Sequence, residues 1–329
     1  MPEQTGKIDG RKSAPYRVRI VEQPQKRRLL KAIGIATLAT IATGGIRIDL
    51  PGQKTPGEIQ SPELLAYQKR LNTLNQEILR NPQNLKEIAP RIGQLAIEFF
   101  SGEMDYNPQE YEGKTKYKWD NEYQISQKEE SGCIELQTSD DEYGYVNVVR
   151  DDLSINLDKV LYGLPEDKTR KVIQPYPAFA LFSTLIHELH HLTSPFMPDP
   201  DSNDPRIRIR GLVFFEPNLE FSKPRYTCYD SYRTQLEEAV VQDSTDRMTQ
   251  KLGFQLKPDK DYQLWVQRYR IGVLEKFFDG DNQPLLKLHQ QTKPREFFTV
   301  VGQKLGAPSQ EAAAIGESYL RNLLLEDSP

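Results

Sequence analysis

Five residues near the middle of the chain, His187-Glu188-Leu189-His190-His191, constrain it more than any other stretch. They read H-E-x-x-H and sit in a strongly apolar run. Four residues make about one turn of an α-helix, so His187 and His191 leave the same face and can grip one metal ion. Glu188, one residue further on, then stands beside the ion and not on it. From there it can take a proton from a metal-activated water, the chemistry of a zinc hydrolase. The chain has four histidines and three of them fall within these five residues, which makes chance a poor explanation.

The spacing predicts a metal helix from about Pro177 to Ser194, stopped by Pro195. Phe182, Leu185, Ile186 and Leu189 share one face and should meet a core. His187 and His191 lie roughly opposite, with Ala180 and Thr184 before them as a small-residue floor, and His190 falls outside the strip. Catalytic zinc takes three protein ligands and leaves one position for water. A third histidine ten residues after His187 is ruled out, because Met197 stands there. The fourth histidine, His289, is about a hundred residues downstream. A carboxylate on a later helix remains, and Leu236-Glu237-Glu238-Ala239-Val240-Val241-Gln242-Asp243 offers a pair.

Charge is distributed unevenly. Residues 1–31 carry nine Lys/Arg and three acids, net +6, in a chain whose total is -4. The basic head lacks interleaved aromatics, which argues against nucleic acid. Behind it, Ala32 to Ile46 is uncharged. Extended by Leu29 and Leu30 and preceded by Lys26-Arg27-Arg28, the run is expected to anchor the chain in a membrane with the C-terminal domain outside the cytoplasm. Secretion after signal cleavage near Ala42-Thr43-Gly44 is the alternative. The expected organisation is a disordered basic cytoplasmic tail over 1–28, an anchor over 29–47, a linker over 48–62 and a catalytic domain over 63–329.

Within that domain, helices are expected over about 63–80 and 83–101, broken at Asn81-Pro82. A polar stretch rich in Tyr and Glu follows over 102–132, expected to be a long loop or irregular strands. Alternation in Cys133–Leu136, Tyr143–Val149 and Leu153–Leu157 suggests a small sheet. Arg206–Arg210 and Leu212–Phe215 read as a strand or hairpin, and from Ser231 the pattern is helical with breaks near Gly253, Asp279–Pro284 and Gly306–Pro308. Cys133 and Cys228 are too few for a disulfide framework, and whether they pair stays open. Asp199-Pro-Asp201-Ser-Asn203-Asp204 opens like a calcium loop. Asp204 stands where the glycine is needed and Arg210 where the bidentate acid is needed, so it reads as a solvated turn.

Over residues 178–195 and 234–250 the chain resembles the gluzincin metallopeptidases, in which a second helix carries a glutamate ligand in a string like Asn-Glu-Ala/Gly with an acid about one turn later. On that pattern Glu237 matches the first position, Glu238 the ligand and Ala239 the small residue. Helix geometry keeps Glu237 open as the alternative ligand, because it lies nearer the middle of the face made by Leu236, Val240, Val241 and Met248. Gln242 stands where the family often has an acid, with Asp243 beside it as a candidate partner for a ligand histidine. The resemblance implies a zincin-like α+β fold, with a small sheet against the HExxH helix and a mostly helical C-terminal half. It also implies a zinc peptidase in which Glu188 is the catalytic base.

An oxyanion donor is expected from Tyr226, Tyr229, Tyr232, Arg233 or His289. An edge strand before the metal helix, Tyr145–Val149 or Leu153–Leu157, is expected to pair with a peptide or protein substrate. Two other functions fit the same residues. One is a zinc hydrolase of a non-peptide amide or ester, and the other is a non-catalytic, membrane-tethered binding or structural protein.

Overall fold

The computed structural model describes residues 61–119, 122, 143–147, 151–163, 172–218, 225–229, 231–254 and 260–325. All of them belong to the unit Thr43–Pro329. The chain enters through α1 (Pro62–Arg80), capped by Ser61, whose hydroxyl accepts the Leu64 N–H at 3.2 Å. Pro62 fills the first helical position, where its missing N–H is not needed. Asn81 ends the helix because a residue before proline is pushed out of the α region. After one 3₁₀ turn, α2 (Leu85–Met104) runs to Asp105, which closes it in the left-handed conformation at φ 56°.

Two small sheets follow. In the first, β1 (Thr115–Lys118) lies parallel to β3 (Asp152–Asn156), and β2 (Gly144–Asn147) lies antiparallel on the other side of β3. β3 is therefore the central strand and β2 an edge strand among the described residues. Asn156 ends β3 and caps α3 (Leu157–Tyr162), its side chain accepting the Asp158 and Lys159 N–H groups. The metal helix of the sequence follows as α4 (Pro177–Thr193). The second sheet runs β4 (Met197–Pro198), β5 (Arg208–Arg210), β6 (Val213–Asn218) and β7 (Arg225–Tyr229), antiparallel throughout.

The remainder is helical: α5 (Ser231–Lys251), α6 (Lys260–Tyr269) continuing as a π-helical turn (Arg270–Glu275), α7 (Gln283–Gln290), α8 (Pro294–Lys304) and α9 (Ala312–Leu325). The fold is thus α+β. Two hydrophobic cores organise it. One gathers α1, α2, the first sheet and the apolar face of α4, where Phe182, Leu185, Ile186 and Leu189 are at most 1% exposed. Burial of this kind contributes roughly 1.5–3 kcal/mol per side chain. The other gathers α7, α8, α9 and the π turn around Leu236, Ala239 and Val240 of α5. Met248, near the far end of α5, and Leu252, just beyond it, return to the first core. Helix α5 therefore runs from one core to the other and carries the polar face between them.

Three expectations need correction or fall elsewhere. The membrane-anchored placement is not sustained: among the described residues no helix is long and apolar enough to cross a membrane. The physical reason lies in the run itself, whose fifteen uncharged residues are largely Ala, Thr and Gly, short of the ~20 apolar residues a span needs. Residues 29–47, the tail before them and the 48–60 part of the linker lie outside the described residues. So do Cys133–Leu136, and so does Cys133 as a partner for Cys228. Finally, Leu153–Leu157 cannot add a substrate strand, because β3 already has a neighbour on each side.

Candidate metal centre

Helix α4 delivers the motif as its spacing requires. His187 and His191 project together, with ring centroids 5.0 Å apart, and their Nε2 atoms face each other at 3.2 Å. Glu238 reaches across from α5, its Oε2 3.1 Å from His187 Nε2 and its Oε1 3.5 Å from His191 Nε2. Four ligands about 2.0–2.1 Å from a tetrahedral ion would stand about 3.3–3.4 Å apart, so these separations are those of three ligand atoms around one ion. His187, His191 and Glu238 form a group that could hold a metal ion.

The outer ring nitrogens make the case stronger. His191 Nδ1 lies 3.1 Å from Glu237 Oε1, and His187 Nδ1 lies 3.1 Å from Gln242 Oε1. Both partners are acceptors, so both Nδ1 atoms carry a proton, which leaves Nε2 of each ring as the atom that can bind a metal once it is deprotonated. Two imidazole nitrogens 3.2 Å apart beside a carboxylate make a place that a proton on His191 or a metal ion can fill. The donor set, two imidazole nitrogens and one carboxylate oxygen, suits a divalent transition metal.

Glu237 stands on the outer side of His191, and His191, Glu237 and His289 form a second group that could hold a metal ion. Glu237 Oε1 also faces His289 Nε2 at 2.7 Å, and its Oε2 accepts the Leu212 N–H at 2.8 Å. That N–H comes from the two-residue turn joining β5 to β6, where Arg210 pairs with Val213. Gly211 of this turn has φ +55°, and a Cβ there would lie 2.4 Å from Glu237 Oε2. Only glycine meets both demands. Burial alone would raise the Glu237 pKa, but His289 and His191 outweigh it and hold the carboxylate at about 2. Burial is likewise outweighed at Glu238, where His191 and His187 hold the carboxyl well below its usual range. At His191 burial disfavours the proton, yet Glu238 and Glu237 outweigh it and raise the pKa well above 6.5.

Glu188 is 6% exposed and sits beside the ligands. Burial raises its pKa, against the lowering influence of His187 and His191, which suits a group that must both take and give a proton. Its neighbour on the sheet side is β2: a Cβ on Gly144 would lie 3.2 Å from Glu188 Oε1. His190 is fully buried against Phe100, with ring centroids 4.9 Å apart. Burial pushes its pKa well below 6.5, so it is a neutral core residue. Of the floor, Ala180 is fully buried and Thr184 is the partly open member.

The remaining candidates are placed elsewhere. Asp243 does not face a ligand histidine; it is fully buried and accepts Arg247 Nε at 2.7 Å and Arg270 Nε. Tyr232 is also fully buried, its hydroxyl bonded to Glu317 and accepting Arg233 Nε at 2.8 Å. The Arg233 guanidinium stacks 4.2 Å from Phe214 and 4.8 Å from Phe298. His289 faces Glu237. Tyr226 and Tyr229 lie on β7. In the rejected calcium loop, Asp204 pairs with Arg206 and Asp201 with Arg295, as a solvated turn should.

The sequence reading missed Asp246 and Arg270. Gln242 Nε2 donates to Asp246 Oδ1 at 2.8 Å, and Arg270 NH2 donates to Asp246 Oδ2 at 2.8 Å. The signal for Asp246 was present, since Glu238, Gln242 and Asp246 repeat every four residues along one face of α5. No family model matches the chain, and comparison with curated proteins and with solved structures likewise gives no match.

Proposed function

We propose that the protein is a zinc-dependent metallopeptidase of gluzincin type with a zincin-like domain, in which His187, His191 and Glu238 hold zinc. The observation that carries this is the convergence of His187 Nε2, His191 Nε2 and the Glu238 carboxylate at 3.1–3.5 Å, with a buried Glu188 beside them. A structural metal site closes its coordination with four protein ligands, whereas three leave room for reacting groups. Among the described residues the group around His187 has three.

Zinc in such a site supplies Lewis acidity, polarising a carbonyl and acidifying water. The chain supplies the rest. The Glu188 carboxylate takes the proton of the attacking water as its oxygen adds to the peptide carbonyl carbon. The same carboxyl then gives that proton to the leaving amine nitrogen as the C–N bond breaks. Its burial keeps water away from the proton it holds. Glu237 and Gln242 accept from the outer nitrogens of His191 and His187 and keep the rings aimed. Edge strand β2, with Gly144 against Glu188, offers its main chain to an extended peptide.

Glu188→Gln tests the assignment, because the amide keeps the shape and loses the base. The variant should bind zinc as the wild type does and cleave peptides at least 10²-fold more slowly, the low end of what a positioned base contributes. Unchanged hydrolysis would remove Glu188 from the mechanism. Hydrolysis of esters or non-peptide amides alone, with peptides untouched, would favour the other hydrolase class.

A further inference from the structure

We infer that Asp246 and Arg270, neither of them a ligand in this arrangement, are positioning residues that set the tautomer and orientation of His187 through Gln242. This deepens the metal centre proposed above and rests on it. A glutamine amide has an acceptor end and a donor end, and only one arrangement suits a ligand histidine. With Oε1 toward His187, as observed at 3.1 Å, Nδ1 keeps the proton and Nε2 is free to bind metal. Turned around, the NH2 group would demand an acceptor at Nδ1 and drive the proton onto Nε2, the atom that faces Glu238 and His191.

Nothing in Gln242 itself chooses between these arrangements. The choice is made one turn further along α5. Asp246, 3% exposed, presents Oδ1 to the far end of the amide at 2.8 Å. A carboxylate only accepts, so the end of Gln242 that meets it must be NH2. Asp246 is held in that role by Arg270, the first residue of the π turn, whose NH2 donates to Oδ2 at 2.8 Å while its Nε pairs with Asp243. One guanidinium thus ties two adjacent faces of α5 to the helix that follows. The orientation of a metal ligand is fixed from Arg270, three hydrogen bonds away: Arg270 to Asp246, Asp246 to Gln242, Gln242 to His187. Where the resembling peptidases often place an acid one turn after the ligand, this chain uses a neutral amide, and a neutral amide requires the Asp246 backing.

The test uses the full chain and measures zinc affinity by competition with a chromophoric chelator, beside the melting temperature of the metal-free protein. Asp246→Asn offers Gln242 an amide that can donate, so the glutamine can turn. Zinc affinity should fall about 10–100-fold, as when the partner of a ligand histidine is lost. Arg270→Gln should move it in the same direction. The double variant Gln242→Glu/Asp246→Asn presents acceptors at both ends of residue 242 and should restore wild-type affinity. Equal affinity in Asp246→Asn and wild type would overturn the inference. A loss that Gln242→Glu does not rescue would also overturn it, since that marks general damage. A wild-type chain that binds no zinc would overturn both the inference and the metallopeptidase proposal. Zinc binding that follows this pattern without any peptide hydrolysis would leave the relay standing and remove the peptidase reading alone.

Discussion

Glu237 and Glu238 are neighbours with different duties, and the difference comes from where each points. A helix turns about 100° per residue, so only one of the two can face the Nε2 atoms of both α4 histidines. Glu238 meets both Nε2 atoms, while Glu237 meets Nδ1 of His191, His289 and the Leu212 amide. Glu238→Ala should therefore abolish zinc binding, whereas Glu237→Gln should weaken it about 10–100-fold; isothermal titration with zinc separates the two. In the metal-free protein Glu237 is held at about 2 against an ordinary 4.5. A depressed carboxylate adds stability that is complete above 4.5 and is lost as pH falls toward 2. Melting temperatures across that window should fall in the wild type and fall less in Glu237→Gln. The raised pKa of His191 has the opposite sign: its contribution is whole below 6.5 and lost as pH rises through the raised value. Zinc must displace that proton, so its uptake should release protons in weakly buffered solution.

At the scale of elements, the positions of helices and turns were written in local chemistry. Pro82 and Pro177 mark helix boundaries that the structure keeps. Gly253 and Gly306, at φ +73° and +84°, mark breaks after α5 and α8. β1 was legible only as one of two alternatives, loop or irregular strand, because Thr115–Lys118 is a polar run whose strand character comes from pairing with β3. α3 was not legible: the alternation from Leu153 reads through Asn156, and only the cap formed by its side chain turns strand into helix there. In the site, His187, Glu188 and His191 were read from helical spacing, whereas Glu238 came from the gluzincin resemblance and helix geometry alone pointed toward Glu237. Asp243 and Tyr232 were chosen for nearness in sequence, and helix direction sends them elsewhere. Leu212 and Arg270 depend on long-range packing that no local pattern encodes. The Leu212 contact makes a prediction for the β5–β6 turn. Gly211→Ala must adopt φ +55° with Cβ against Glu237, which costs roughly 1–3 kcal/mol of strain. It should lower both the melting temperature and the zinc affinity, whereas Gly280→Ala, with no atom within 4 Å of its added Cβ, should lower the melting temperature alone.

Across the whole described unit, the ligands come from two helices that belong mainly to different cores. α4 is anchored in the first core and the ligand-bearing half of α5 in the second. A metal ion shared by His187, His191 and Glu238 would therefore join the two cores. Binding to the folded state alone stabilises it by mass action, about 4 kcal/mol at a free concentration of 1,000 Kd. A chelator should accordingly lower the melting temperature of the native protein, and Glu188→Gln should keep the full zinc-dependent shift while losing hydrolysis.

The central claim is that His187, His191 and Glu238 hold one zinc ion. Elemental analysis of the purified full chain beside His191→Ala, with circular dichroism to show that both are folded, tests it most directly. One zinc per wild-type chain and none in the variant is the result predicted here. A wild-type chain without zinc after reconstitution, or a variant that keeps its zinc, would contradict it.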